Sequence, residues 1–167
     1  MADHLCVNCS LCCSGKLYAR VPVSPEERDR LGGGDRFFRK SNGDLRMRLG
    51  CDFLGKNGAC QVYDKRPETC RTYKCSLLKR VDAGKTPESE AVAIVAEIHE
   101  TEDKARASIA QALGKEPYAL NTSDLHDAMD RLIETGDEDA PAYRHAKLWY
   151  RHYLSLVRLH IRPGFRA

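Results

Sequence analysis

Cys6-Val7-Asn8-Cys9-Ser10-Leu11-Cys12-Cys13 puts four thiols within eight residues, and the chain's other four cysteines, Cys51, Cys60, Cys70 and Cys75, all follow before residue 76. Spacings this short hold several sulfurs close together whatever the rest of the chain does, as soft cations such as Zn²⁺ or the irons of an Fe–S cluster require. Disulfides are the competing use of eight cysteines. The N-terminus runs from Met1 through Ala2-Asp3-His4-Leu5 straight into the motif, without the basic and apolar stretches of a secretory signal. No segment approaches the run of about 20 apolar residues needed to span a bilayer. The expected setting is therefore the reducing cytoplasm, where clustered cysteines bind metal or do redox chemistry.

The 167 residues allow one domain, or a small domain with a helical extension. The two halves differ in charge. Residues 1–80 carry 16 Lys and Arg against 9 Asp and Glu, and residues 81–167 carry 11 against 15. The basic half is the half that holds the thiols. Two Zn(Cys)₄ sites or two oxidised [4Fe-4S](Cys)₄ clusters would each bring a charge of about −2, so the basic side chains read as compensation for thiolates. A sequence pI of about 8.4 and the lack of a basic stripe with interleaved aromatics argue against nucleic acid as a partner.

Local signals divide the cysteine-rich half. Ser24-Pro25-Glu26-Glu27 supplies an N-cap, a Pro at the first helical position and a Glu three residues after the cap, predicting a short helix to about Leu31. Gly32-Gly33-Gly34 ends it. Phe37-Phe38-Arg39 and Leu45-Arg46-Met47-Arg48-Leu49 flank Ser41-Asn42-Gly43-Asp44, predicting a hairpin that carries the chain back to Cys51. Asn57-Gly58 predicts a turn just before Cys60. A helix starting near Asp64-Lys65-Arg66-Pro67 would deliver Cys70 and Cys75. On one continuous helix those two would point about 140° apart, since five residues turn through about 500°. Either the helix breaks between them or they serve different metals. The adjacent Cys12 and Cys13 diverge for a similar reason, so the expected count is two centres, or one centre with a spare or bridging thiol.

After Cys75 the pattern becomes helical. Thr86-Pro87-Glu88 predicts the start of a long helix with Ala91, Ile94, Val95, Ile98, Ala105, Ile109 and Ala112 on one stripe, interrupted by Glu102 and stopped by Gly114 and Pro117. Thr122-Ser123-Asp124 predicts a second helix through Leu125, Met129, Leu132 and Ile133, closed by Gly136. Asp137 to Asp139 begin a third, with Tyr143, Ala146, Tyr150, Leu154, Val157 and Ile161 on one face before Pro163. The expected fold class is α+β. A small metal-stabilised cysteine-rich domain of short strands and loops (1–80) is followed by a helical extension packed on it (81–167), a bundle of about three α-helices. That extension either stabilises a domain poor in apolar residues or offers a surface to a protein partner. His145, His152 and His160 with Trp149 and Tyr153 suit a helix with a few exposed histidines better than a metal site.

The cysteine row departs from the ferredoxin pattern, because Cys13 follows Cys12 directly and Ser14 stands after it. It also lacks the second Cys-x2-Cys of a zinc ribbon. Cys6-x2-Cys9-x2-Cys12-Cys13, Val23-Ser24-Pro25-Glu26-Glu27, Cys51-Asp52-Phe53-Leu54, Gly58-Ala59-Cys60-Gln61-Val62-Tyr63, Arg66-Pro67 and Cys70-Arg71-x3-Cys75 together resemble the CxxCxxCC family, also called YkgJ-type cysteine-cluster proteins, over roughly residues 6–80. The resemblance implies a zinc- or iron-chelating domain with Cys6, Cys9, Cys12, Cys13, Cys51, Cys60, Cys70 and Cys75 as ligands. Asp52 stands where the family often has Pro, a change that bears on loop stiffness. Similar modules occur attached to flagellin lysine methylases, so the resemblance also admits a role in an S-adenosylmethionine-dependent or redox enzyme.

All-thiolate ligation suits zinc or an iron–sulfur cluster. The crowded Cys6–Cys13 segment, read as a cluster-wrapping loop, favours [4Fe-4S]. Arg66, Arg71 and Lys74 are placed to neutralise a cluster. The functional expectation is a cytoplasmic metal-binding module, cluster-carrying or metal-chelating, that acts with a protein partner through its C-terminal helices and with neither nucleic acid nor membrane. The alternative is an Fe–S-dependent redox or protein-modifying enzyme component with Tyr63 or Tyr73 as relay. No Ser/His/Asp, paired-carboxylate or phosphate-cradling pattern identifies a catalytic residue.

Overall fold

The structure is a computed structural model that describes residues 3–116 and 125–163. The chain divides into two units, Asp3–Lys74 and the stretch from Cys75 onward. Mixed α+β architecture with a helical C-terminal region is as the sequence pattern indicates.

In the first unit, α1 (Asp3–Cys9) precedes β1 (Arg20–Pro22), α2 (Pro25–Arg30), β2 (Phe37–Arg39), β3 (Leu45–Arg48), a 3₁₀ turn at Tyr63–Lys65 and α3 (Glu68–Thr72). The capping box at α2 forms as read. Ser24 Oγ accepts from the Glu27 N–H at 3.2 Å, and Glu27 Oε2 accepts from the Ser24 N–H at 2.8 Å. The hairpin also forms, with Phe37 opposite Met47 and Arg39 opposite Leu45. A third strand was missing from the sequence expectation. β1 pairs with the other side of β3, Val21 opposite Met47, giving an antiparallel sheet in the order β1-β3-β2. Three residues are too few for a period-two signal, and Pro22 weakens it further. Met47 therefore lies between Val21 and Phe37, and with Val23 and Leu31 it forms a small apolar cluster. Val62, Phe53, Cys51 and Cys70 pack against that cluster.

The second unit holds α4 (Ser76–Asp82), α5 (Glu88–Ala112), α6 (Leu125–Thr135), α7 (Pro141–Leu156) and a π-helical turn, Val157–Ile161. α5 and α7 make the main interface. Gly114, at φ +63°, ends α5 as expected, with the Lys115 N–H donating to the Ala110 carbonyl at 2.8 Å. Pro117 and the expected cap Thr122-Ser123-Asp124 lie outside the described residues. The whole α7 stripe, from Tyr143 to Ile161, is buried. Ile133 is not, and Ala128 takes its place on the inward face of α6. α7 starts at Pro141 rather than at Asp137 to Asp139, because Pro at the first helical position makes Ala140 the cap. The residue that interrupts the α5 stripe is itself inside: Glu102 is 0% exposed and accepts a hydrogen bond from Arg106 Nη2, one turn on. No described helix is long and apolar enough to cross a membrane.

Candidate metal centre

The Cys6–Cys13 segment is not one loop. Cys6 and Cys9 lie one turn apart on α1, about 60° from each other around the helix axis. The chain then leaves the helix at Ser10, which has φ +46°, and turns through Cys12 and Cys13. A short helix with no usual cap or long apolar stripe leaves little trace in sequence beyond its three-residue cysteine spacing.

Two backbone crossings bring distant cysteines to this segment. At the first, Gly15 (φ +84°) meets Gly50 (φ +69°), and a Cβ on Gly15 would come within 2.9 Å of the Gly50 nitrogen. Only glycine fits, because both the conformation and the space exclude a side chain. The crossing lets the Cys51 N–H donate to the Cys13 carbonyl at 2.8 Å. At the second, the Asn57-Gly58 turn forms as read, and Gly58 sits so that a Cβ would lie 3.5 Å from the Val7 carbonyl on α1. The same turn pairs Leu54 with Cys60 in an isolated bridge.

Cys70 arrives on α3, which is anchored by a residue far away in sequence. Glu27, already capping α2 through Oε2, accepts the Glu68 N–H on Oε1 at 2.6 Å. Thr69 Oγ1 adds a hydrogen bond to the Pro22 carbonyl at 3.3 Å. One carboxylate thus serves the N-termini of two helices, where backbone N–H groups are in excess and negative charge is favoured. The sequence announces the first role through Ser24-Pro25-Glu26-Glu27. The second has no local signal, since its partner is 41 residues on.

Cys6, Cys13, Cys51, Cys60 and Cys70 consequently share one electrostatic neighbourhood. Burial pushes the Cys13 thiol up to about 11, and negative charge on Cys51, Cys60 and Cys6 adds to the rise. Burial likewise pushes Cys70 up to about 12, helped by Cys13 and Cys51. Cys51 is also raised, chiefly by burial, against a hydrogen bond from the Phe53 backbone. Two arginines oppose these shifts. Arg66 acts on Cys13 and Cys70, with its Nε donating to the Tyr63 carbonyl at 2.9 Å and its guanidinium 3.5 Å from the Tyr63 ring centroid. Arg36 acts on Cys51, held 4.3 Å over the Phe53 ring and 3.5 Å from the Asp52 carboxylate. Arg36 is absent from the sequence reading for the same reason as the second role of Glu27: its site lies across the fold. Arg71 and Lys74 are exposed.

This donor set fits a cation. Half-buried thiols backed by an apolar cluster resist ionising one beside another, and a divalent metal or cluster iron removes that conflict by replacing their protons with positive charge. Among the described residues no three His, Cys, Asp or Glu side chains already converge on a single metal position. Nor does a disulfide join any of the eight cysteines, all of which are described.

Cys75 lies in the second unit. α3 ends at Thr72 and α4 begins at Ser76, so the helix does break between Cys70 and Cys75. The Cys75 sulfur caps α4, accepting the Leu78 N–H at 3.4 Å. The relay candidates are also placed. The Tyr73 hydroxyl lies 2.9 Å from that of Tyr18, the rings edge to face at 5.4 Å, and Tyr63 carries Arg66. In the second unit, His160 Nδ1 lies 3.2 Å from Arg80 Nη2, and Tyr153 is buried rather than displayed beside the histidines.

No curated protein and no solved structure matches the chain. A family profile matches residues 5–109, past residue 80 and through α4 and most of α5. With more than half of its length matched, the chain belongs to the CxxCxxCC family, described as a putative zinc- or iron-chelating domain.

Proposed function

We propose that this chain is a thiolate-ligated metal module that carries an iron–sulfur cluster or zinc in the cytoplasm and acts with a protein partner. The observation that carries the reading is the shared field of Cys13, Cys51, Cys60 and Cys70, with Cys6 beside them, in which Cys51 and Cys70 are backed by the Met47 cluster and Arg66 and Arg36 oppose the thiolate charge. These five are the thiols whose role the geometry supports. Cys9, Cys12 and Cys75 enter as ligands from the cysteine pattern. A bound group would supply Lewis acidity and structural cross-linking if zinc, or one-electron chemistry if a cluster. The chain's own residues hold the thiols together through the Gly15–Gly50 crossing and the Glu27 bridge, and temper their charge with guanidinium groups. One geometric feature favours the redox alternative, the Tyr18–Tyr73 hydroxyl pair.

Anaerobic purification followed by metal, acid-labile sulfide and visible-absorption measurements tests the proposal. Iron with equimolar sulfide and a visible charge-transfer band identifies a cluster; colourless protein with stoichiometric zinc identifies a zinc module. Well under one metal of either kind per chain, with all eight thiols titratable, overturns the reading.

A further inference from the structure

Helix α7 and its π turn have two faces. Tyr143, Ala146, Tyr150, Tyr153 and Val157 turn inward. Outward, His145, Leu148, His152, Ser155 and Leu159 follow one another at alternating steps of three and four residues, the spacing of a helix seam, and all five are exposed. Leu148 and Leu159 are 63% and 67% exposed. Arg144, Arg151 and Arg158 each stand one residue before a seam position and are exposed as well. Seven residues rise about 10.5 Å and return to within about 20° of the same direction, so on α7 Arg144 and Arg151 line one edge of the seam, and Arg158 follows in the π turn.

The charge carried by α7 and its turn is all positive, while the neighbouring α5 brings Glu100, paired with Lys104 at 2.6 Å, beside Trp149. From Pro141 to Pro163 the chain has no Asp or Glu, whereas α5 displays Glu88, Glu90, Glu97, Glu100 and Asp103. Trp149 is fixed beside the seam: its indole N–H donates to His145 Nε2 at 2.8 Å, its ring stacks on His152 at 5.9 Å, and the Lys104 ammonium lies 4.7 Å from its centroid.

We infer that this face docks an amphipathic helix of a partner protein whose apolar stripe is flanked by acidic side chains. Arginines at the flanking positions select carboxylates on the facing helix, and exposed leucines at seam positions select apolar knobs. A nucleic-acid backbone would need no exposed leucines on the seam, and a membrane surface would need a broader apolar face than two leucines. A second copy could offer the acids of α5, but among the described residues of α5 the only large apolar side chain it displays is Val92. The inference names a surface for the proposed partnership and is independent of the thiols, so its failure leaves the metal reading standing.

Trp149 is the only tryptophan in the chain, so its emission reports occupancy. The metal-replete full-length protein is titrated with a synthetic helix of three heptads carrying Leu at core and Glu at flanking positions. The comparators are its Lys-flanked counterpart and a Glu-flanked version broken by a central Pro. The Glu helix is expected to bind at least about tenfold more tightly than either, and the triple variant Arg144→Glu/Arg151→Glu/Arg158→Glu is expected to prefer the Lys helix. Leu148→Ser, a single exposed change, is expected to weaken the Glu helix about tenfold and serves if the triple variant does not fold. Equal binding of the intact and Pro-broken Glu peptides overturns the inference, because charge alone would then account for it. So does a Trp149 response to duplex DNA or phosphatidylserine vesicles without one to the Glu helix, and so does self-association in sedimentation that is lost in the triple variant.

Discussion

The two units answer the same problem, how a short chain segment stays folded, with different chemistry. Among the described residues the first unit buries six apolar side chains, Leu5, Leu11, Leu17, Val23, Leu31 and Met47, while the second buries twenty. Five of the twenty are alanines; fully burying a large apolar side chain contributes about 1.5–3 kcal/mol, so with fifteen large ones against six the second unit has roughly two and a half times the hydrophobic stabilisation of the first. The first unit has instead cross-chain polar links: the Glu27 bridge, the Cys51–Cys13 backbone bond, the Gly15–Gly50 crossing and the crowd of thiols. Helices with apolar faces stabilise themselves by packing; a loop-rich cysteine segment of this size needs ligand bonds.

The sharpest way to break that comparison is to remove a thiol. Cys51→Ser is expected to lose metal and most of the hydrogen-exchange protection of residues 20–72, a cost of about 10 kcal/mol if the ligation free energy is lost, while α5 and α7 keep theirs. Unchanged metal content with unchanged protection would remove Cys51 from the ligand set. The reciprocal change in the second unit is smaller. Arg106→Ala takes the guanidinium from the fully buried Glu102, and the helical unit should lose about 3 kcal/mol in urea unfolding with metal content unaltered. Replacing both residues by Leu should restore most of it, since two apolar groups leave no charge to compensate.

Smaller than both is the effect of Glu27→Ala, which removes a capping-box member and the acceptor for the Glu68 N–H together, at about 2 kcal/mol. Its distinguishing readout is metal affinity in competition with a chelator, because Cys70 rides on the helix that Glu27 anchors. Glu27→Gln keeps one acceptor oxygen and should recover part of that affinity; equal loss in both variants would mean that the carboxylate charge, not the bridge, matters.

The smallest effect concerns pH. Burial holds the His126 imidazole below its usual range against the pull of Asp130 and Asp127, and its Nδ1 lies 2.6 Å from the Tyr150 hydroxyl. His160 is lowered in the same direction by burial and Arg80. The unfolded chain therefore takes up these protons at higher pH than the folded one. The second unit should hold its stability above a pH of about 6.5 and lose it progressively as the pH falls below that value, until the folded histidines also protonate. A urea midpoint, followed by helical signal, that does not fall between neutral and mildly acid pH would show that these rings are solvated.

Elements with their own local code were readable from the chain alone. The capping box at Ser24, the Asn42-Gly43 hairpin, the Gly114 stop and the α7 stripe each depend on neighbours within a turn or two, where side-chain chemistry and backbone geometry are coupled directly. What depends on contacts made elsewhere carries no such code. Glu102 interrupts the apolar stripe as the sequence indicates, but its burial depends on Arg106, one turn away, whose guanidinium donates to it. α1 looked like a loop, and β1 was invisible, because both are short and are held by tertiary partners rather than by propensity.

The cysteine row tells the same story at the level of function. Eight thiols in the first 75 residues, four of them within eight positions, are enough to specify soft-metal chemistry, because ligand type and local crowding are properties of the covalent chain. Which thiols face one another is not such a property. Cys13, Cys51, Cys60 and Cys70 become one neighbourhood through two glycine crossings and a carboxylate shared between two helices, Glu27 reaching Glu68 41 residues on, and the Cys75 sulfur caps α4 in the second unit. Those outcomes depend on close backbone approach and on long-range hydrogen bonds, which exist only once the chain has folded back on itself.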